Sequence, residues 1–275
     1  MIGLFDSGFG GLTVLREYLK TYPEYDYLYL GDQANNPYGS HSAERVEALL
    51  MHHVDWLVSQ GCELIIVACN TASADALRAV QQKYQGKPVI LGVIIPAAEE
   101  ALRQSRFGRI GVIGTKGTVA SGAYERELKK YAASLYHPSD RRALDSVVIT
   151  QQACPLLVPL IEEGLVNHPV TNRLIRDYLR PLKQANIDTL ILGCTHYPLL
   201  QNTIERIAGK SITVISSAAA AAQAMADYFK RHPDLAERLS KNGTRRYVTT
   251  DQPKRFAELG SQFLGEKFVA ESLGH

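Results

Sequence analysis

Along the chain, short runs of apolar and β-branched residues alternate with longer stretches whose apolar positions recur every three or four residues. The runs IGLF, YLYL, LIIVA, VILGVI, RIGVIG, SVVIT, TLILG and ITVIS keep apolar side chains at neighbouring positions, as strands covered on both faces do. Between them, residues 43–60, 72–85, 121–134, 171–185 and 218–230 read as amphipathic helices. This alternation predicts an α/β protein with mainly parallel sheets flanked by helices.

The same pattern contains an internal echo. CELIIVACNT (62–71) lines up with IDTLILGCTH (187–196), which superposes Cys69 on Cys194. IGLFDSGFGG from residue 2 resembles IGVIGTKGTV from residue 110, and KPVI at 87 resembles KSIT at 210, in the same order. The repeat predicts two pseudo-symmetric lobes with the active site in the cleft between them. One lobe is expected to span 1–95 and 207–275 and to carry Asp6 and Cys69; the other is expected to span 96–206 and to carry Glu162, Cys194 and His196.

Composition narrows the function without naming it. With 275 residues, 45% hydrophobic, and 30 basic against 28 acidic side chains, the chain has core enough for two lobes and no charge excess that calls for nucleic acid. The start, MIGLFDSGFGG, has no basic region before an apolar segment, and no run approaches a membrane span, so a cytoplasmic location is expected. In that reducing compartment Cys62, Cys69, Cys154 and Cys194 are expected as free thiols, and none forms a C-x-x-C pair.

GLFDSGFGG has the glycines of a tight strand-to-helix turn but lacks the Gly-Lys-Ser/Thr ending of a phosphate loop and does not fit G-x-G-x-x-G. Its glycines are expected to let backbone approach a small ligand. Cys69 and Cys194 each end an apolar strand, where open parallel sheets place their ligands, and each is followed by polar residues at what reads as a helix start. Amides and dipole there should favour a thiolate and move the thiol toward neutrality. Two such thiols could pair as a disulfide, bind a metal, or flank one carbon. A metal would want a fourth ligand beyond His196, and a redox pair is usually close in sequence. Acid/base groups on opposite faces of one carbon invert it, and inversion of a stereocentre is the reaction that paired lobes predict.

At these residues the sequence resembles the glutamate racemase family within the aspartate/glutamate racemase superfamily. The resemblance rests on GLFDSGFGGLTV (3–14), PYGS (37–40), VACNTAS (67–73), ACPLLVPLIEEG (153–164) and LGCTHYPLL (192–200), in family order over nearly the whole chain. It implies a cofactor-independent interconversion of L- and D-glutamate that supplies D-glutamate for peptidoglycan, with no metal, no nucleic acid and no membrane, and a homodimer as the common assembly. It also implies that Cys69 exchanges the proton on the D side, assisted by Asp6, and Cys194 on the L side, assisted by His196 and Glu162. Glu162 is chosen over Glu163 by its place in the motif. The substrate would be held by Asp6, Ser7, Tyr38, Gly39, Asn70, Thr71, Thr195 and His196, mostly neutral donors. Taken singly, Asp6 could cap a helix, His196 could end a strand and Tyr38 could be a packing aromatic.

Two stretches depart from the family pattern: Ala34, Asn35 and Asn36 before Pro-Tyr-Gly, and Ser216 where an aspartate is expected. They bear on loop conformation and lobe packing. Segment 136–146 is expected as an exposed loop, and Cys62 and Cys154 as structural.

Overall fold

The computed structural model describes residues 1–135 and 147–273; the loop expected over 136–146 lies outside the described residues. The strands are β1 (Ile2–Asp6), β2 (Tyr27–Gly31), β3 (Leu64–Val67), β4 (Val89–Gly92), β5 (Arg109–Gly114), β6 (Val148–Ala153), β7 (Thr189–Gly193), β8 (Thr213–Ser216), β9 (Arg245–Thr249) and β10 (Glu271–Ser272). They form two sheets, in the orders β10-β9-β2-β1-β3-β4 and β6-β5-β7-β8, with parallel pairing throughout.

The helices, in chain order, are α1 (Leu12–Thr21), α2 (Ala43–Ser59), α3 (Asn70–Asp75), α4 (Leu77–Tyr84), α5 (Ile94–Gln104), α6 (Lys116–Ala120) and α7 (Ala123–Leu135). After residue 146 come α8 (Leu157–Glu162), α9 (Pro169–Gln184), α10 (Gln201–Ala208), α11 (Ser217–Arg231), α12 (Pro233–Arg238) and α13 (Pro253–Leu264). Among the described residues, no helix is long and apolar enough to cross a membrane.

The internal echo is visible in the strand orders. Read outward from the cysteine strand, β2-β1-β3-β4 and β6-β5-β7-β8 are the same arrangement of four, with β1 matching β5 and β3 matching β7. The chain returns to the first sheet later than expected. β8 hydrogen-bonds to β7, Thr189 opposite Thr213, so the segment after 206 completes the second sheet before β9 and β10 join the first. The physical reason is the repeat itself: KSIT opens the second lobe's counterpart of β4, which must pair with the cysteine strand.

Side chains at successive strand positions leave opposite faces of a sheet. Ile2 and Leu4 therefore pack with Leu12, Leu15 and Tyr18 of α1 and with Ala221 and Met225 of α11, whereas Phe5 packs with Val46, Leu50 and Leu57 of α2 and Val80 of α4. The first of these cores continues into the second sheet, where Leu190 and Leu192 meet Leu157, Ile175 and Ile204 of α8, α9 and α10. The opposite face of that sheet, with Ile110, Val112 and Ile191, is covered by α5 and α7. One continuous apolar layer thus joins the two sheets and fixes how their carboxyl ends face each other.

Candidate active site

Asp6 and Ser7 lie at the carboxyl end of β1, Cys69 follows β3, and Cys194, Thr195 and His196 follow β7. All are buried. The topology therefore brings both cysteines and their polar neighbours to the strand ends where parallel sheets hold ligands.

Cys69 is the N-cap of α3, and its Sγ accepts a hydrogen bond from the Ala72 amide at 3.5 Å while its S–H points at Ser7 Oγ at 3.6 Å. The expected push toward a thiolate is overcome. Burial of the sulfur is the largest influence, and the carboxylate of Asp6 adds a like charge, so the thiol is pushed up to about 12 despite Ala72 and Ser7. A helix of six residues supplies too little dipole to reverse this.

Asp6 is fully buried and does not cap α1, whose N-cap is Gly11. Its carboxylate accepts from the Gly8 amide at 3.1 Å and from the Thr195 hydroxyl at 3.3 Å. Burial outweighs those bonds and the charge of His196, and carries the carboxyl up to about 6. Thr195 thus links the two lobes, and its carbonyl accepts from Thr13 at 2.8 Å.

On the other side, Cys194 Sγ lies 3.9 Å from His196 Nδ1, and His196 Nε2 lies 2.9 Å from Glu162 Oε1. Burial works against a charged ring, but the hydrogen bonds to Cys194 and Glu162 and their charges outweigh it, and the imidazole is pushed up to about 10. Burial likewise opposes charge on Glu162; the His196 hydrogen bond and charge, the Asn36 amide and the charge of Arg255 prevail and hold its carboxyl below the usual range. Glu163, one residue on, is exposed. The ring of His196 is walled by Phe263, edge-on at 5.3 Å, and Phe9 at 6.0 Å.

The glycine turn brings backbone close to these groups rather than leaving room for a phosphate. A Cβ on Gly10 would strike His196 Nδ1 and, at 2.5 Å, Thr195 Oγ1; one on Gly11 would lie 2.5 Å from Asp6 Cβ. Only glycine lets the start of α1 pass between both halves of the site.

The remaining expected residues are distributed unevenly. Asn70 accepts from Tyr124 of α7 at 2.7 Å and faces Ser217 of α11 at 3.4 Å; Thr71 Oγ1 lies 2.9 Å from Thr115 Oγ1 and 3.4 Å from Thr118 Oγ1. Gly39 packs against Thr115, whose Cβ would lie 2.7 Å from an added one. Tyr38 differs: its hydroxyl donates to buried Asp32 at 2.6 Å, so its side chain anchors its loop.

Thr115 and Thr118 were not singled out from sequence, although the echo carries the signal, since aligning IGLFDS with IGVIGT sets Thr115 against Ser7. Asn36 stands out in sequence only as a departure within its loop, and Tyr124 and Ser217 carry no such signal, because their partners are distant in the chain. Cys62 and Cys154 are buried in the apolar cores.

The family model for Asp/Glu/Hydantoin racemases matches residues 14–225. The chain belongs to this family of isomerases. Relatives matching it end to end are glutamate racemases: that of Geobacter metallireducens is 42% identical over 266 residues, 97% of this chain and 93% of its own. The crystal structure of a glutamate racemase isoform from Bacillus anthracis superposes with a TM-score of 0.88 at 34% identity, covering 100% of this chain and 97% of that one. The Francisella tularensis glutamate racemase, solved in complex with D-glutamate, gives a TM-score of 0.84 at 29% identity over 99% of this chain and 97% of its own. The two parallel sheets flanked by helices are the architecture of these enzymes.

Proposed function

We propose that the chain interconverts L- and D-glutamate without a cofactor, by moving the Cα proton between two cysteines on opposite sides of the substrate. The observation that carries this reading is the matched pair of buried thiols at equivalent strand ends, each with its own proton-handling neighbours. The full-length likeness to glutamate racemases supports glutamate as the substrate. The two lobes, one with Asp6 and Cys69 and the other with Glu162, Cys194 and His196, close on it.

In the L-to-D direction Cys194, as a thiolate facing the imidazolium of His196, takes the proton from Cα. Cys69, protonated in the resting enzyme, gives its own proton to the opposite face. Cys194 ends as a thiol and Cys69 as a thiolate; the reverse reaction or exchange through their neighbours resets them. Asp6, with a carboxyl that titrates near neutrality, suits exchange with Cys69. Glu162 orients His196 and balances its charge.

A Cα proton beside a carboxylate is weakly acidic, so the site must favour the carbanion-like state. Excluded water and preorganised donors do this in proportion to how dry and fixed they are. On this reading the hydroxyls and amides of Ser7, Asn70, Thr71, Thr115 and Thr195, with backbone at Tyr38 and Gly39, receive the two carboxylates. On the same reading the product enters peptidoglycan in the cytoplasm.

The test is incubation of the purified protein with L-glutamate in heavy water without added cofactor, following optical activity and deuterium at Cα together. Loss of rotation with deuterium in the D product is expected. Rotation and Cα both unchanged, with thiols shown reduced, would defeat the proposal; failure to complement a D-glutamate auxotroph would remove the cell-wall role.

A further inference from the structure

We infer that Asn36 is a positioning residue for the Cys194 side: its amide, reaching over from the first lobe, holds Glu162 against His196 and makes that pair complete only when the lobes are closed. The inference rests on the reading that His196 and Glu162 serve Cys194.

Asn36 Nδ2 donates to Glu162 Oε1 at 3.0 Å, and His196 Nε2 lies 2.9 Å from the same oxygen. A carboxylate only accepts, so the contact fixes which end of the amide faces it, and two donors fill the lone pairs of that oxygen. Asn36 follows β2 of the first sheet, whereas Glu162 and His196 belong to the second-sheet half. The bond therefore spans the cleft. Glu162 is the final residue of a six-residue helix and is followed by exposed Glu163, so its own element restrains it weakly.

The direction of Asn36 is set from below. Its neighbour Asn35 donates to both oxygens of buried Asp32, at 3.0 and 3.1 Å, and Tyr38 donates to it at 2.6 Å. Thr250 donates to Asp32 at 2.8 Å, and His53 Nε2 stands 3.0 Å from it. The backbone on each side of Asn36 is thereby tied to one buried carboxylate. On its other side the amide packs on Gly8, where a Cβ would come within 3.3 Å of Cγ. Besides His196, the charged groups that share a cavity wall with Glu162 are Arg255 and Glu258 of α13, Asp251 ahead of that helix and Glu163, the next residue in the chain. Asn36 is the neutral donor among them, and it favours the charged form of Glu162 without adding charge to the cleft.

The test compares Asn36→Leu, similar in size but without a donor, with Asn36→Gln, which restores an amide. Racemisation is measured from both enantiomers, with ordinary and Cα-deuterated glutamate, over the pH range where carboxylates and imidazoles titrate. A hydrogen bond to a charged group of this kind corresponds to about a tenfold loss of kcat in Asn36→Leu. Loss of the donor raises the pH at which Glu162 takes a proton, so the acid limb of the profile moves up. The isotope effect grows more for L- than for D-glutamate, because abstraction by Cys194 is the step affected, and Asn36→Gln recovers part of each change. In a Glu162→Gln background the substitution costs nothing further.

An unmoved acid limb with equal isotope effects, or the full loss repeated in the Glu162→Gln background, would overturn the inference even if the unfolding midpoint falls. A Glu162→Gln enzyme with wild-type activity would instead overturn the underlying assignment of Glu162, and the inference with it.

Discussion

The two cysteine environments sit at equivalent strand ends of a repeated fold, yet their electrostatics are opposed. Cys69 faces a buried carboxyl, Asp6, that raises its neighbour and is itself raised to about 6. Cys194 faces an imidazole that keeps its proton up to about 10, because the hydrogen bonds to Cys194 itself and to Glu162 outweigh burial. A symmetric scaffold thus carries an anion-forming partner on one side and a cation-forming partner on the other. The lesson is that duplication sets two thiols at equivalent strand ends, while divergence of a few neighbours gives them a carboxyl on one side and an imidazole on the other.

Replacing either sulfur breaks the comparison most severely. Cys69→Ser and Cys194→Ser should each lower racemisation by about a thousandfold or more, the range for a lost acid/base group. Each should keep abstraction on its intact side, read as elimination from a glutamate analogue bearing a β leaving group. Cys69→Ser should eliminate only from the L enantiomer and Cys194→Ser only from the D enantiomer. Full racemase activity in either variant would refute two-sided transfer.

The pH dependence of stability separates the partners. The folded-state pKa of Asp6 is raised, so its stabilising contribution is full below about pH 4 and is lost as pH rises through about 6. From 3.8 to about 6 this amounts to about 3 kcal/mol at most. His196 is also raised, so its contribution is full below about 6.5 and is lost as pH rises through about 10. Asp6→Asn should therefore gain on the wild type in denaturant midpoint between acid and neutral pH. His196→Gln should gain on it only on the alkaline side. Parallel curves for Asp6→Asn and wild type across the acid-to-neutral window would show that Asp6 does not titrate there.

The parts of this asymmetry that sequence revealed are those encoded locally. Eight apolar runs gave eight strands, because a strand buried on both faces announces itself, although VILGVI overran into α5, whose first residue is Ile94. The echo placed both cysteines and, through strand order, anticipated the matched halves. β9 escaped because RRYVT begins with two arginines and pairs with β2, more than half the chain away. A return point near 206 is too early, because an apolar pattern does not say which sheet ITVIS joins. The thiol of Cys69 shifts opposite to what its helix start suggests, since a helix start is visible in sequence whereas complete burial arises only when the lobes meet. Asn36 reaching Glu162 is the same kind of fact: neither residue's neighbours in sequence point to the other.

Gly10 tests the seam where both environments touch. An alanine there would place its Cβ against His196 and Thr195, which backbone on one side and a buried ring on the other leave little room to move. Overpacking of this kind costs about 1–3 kcal/mol. Gly10→Ala should lower the unfolding free energy by about that amount, cut racemisation, and raise the Cα-deuterium isotope effect from both enantiomers alike, because Thr195 also holds Asp6. A rise in the isotope effect for L-glutamate alone would show that His196 shifts while Thr195 and Asp6 stay in place.

The smallest effect should come from the cysteines that share residue type but not position. Cys62 packs beneath β1, with Sγ so near Gly3 that an added Cβ would meet it at 2.9 Å, and Cys154 Sγ donates to the Gln152 carbonyl at 3.6 Å. Burial raises the Cys62 thiol to about 12, much as it raises that of Cys69, so a raised thiol does not by itself mark a catalytic one. What distinguishes Cys69 is the carboxyl, the hydroxyl and the facing thiol around it. Alanine at 62 or 154 should cost about 1 kcal/mol of stability, as for loss of a small buried group, and leave turnover within about twofold. A large loss of turnover in Cys154→Ala with stability intact would mean that Tyr197, whose hydroxyl bonds to the Cys154 carbonyl at 3.2 Å, passes a displacement there on to Cys194, and the site would then extend further into the second sheet than its hydrogen bonds indicate.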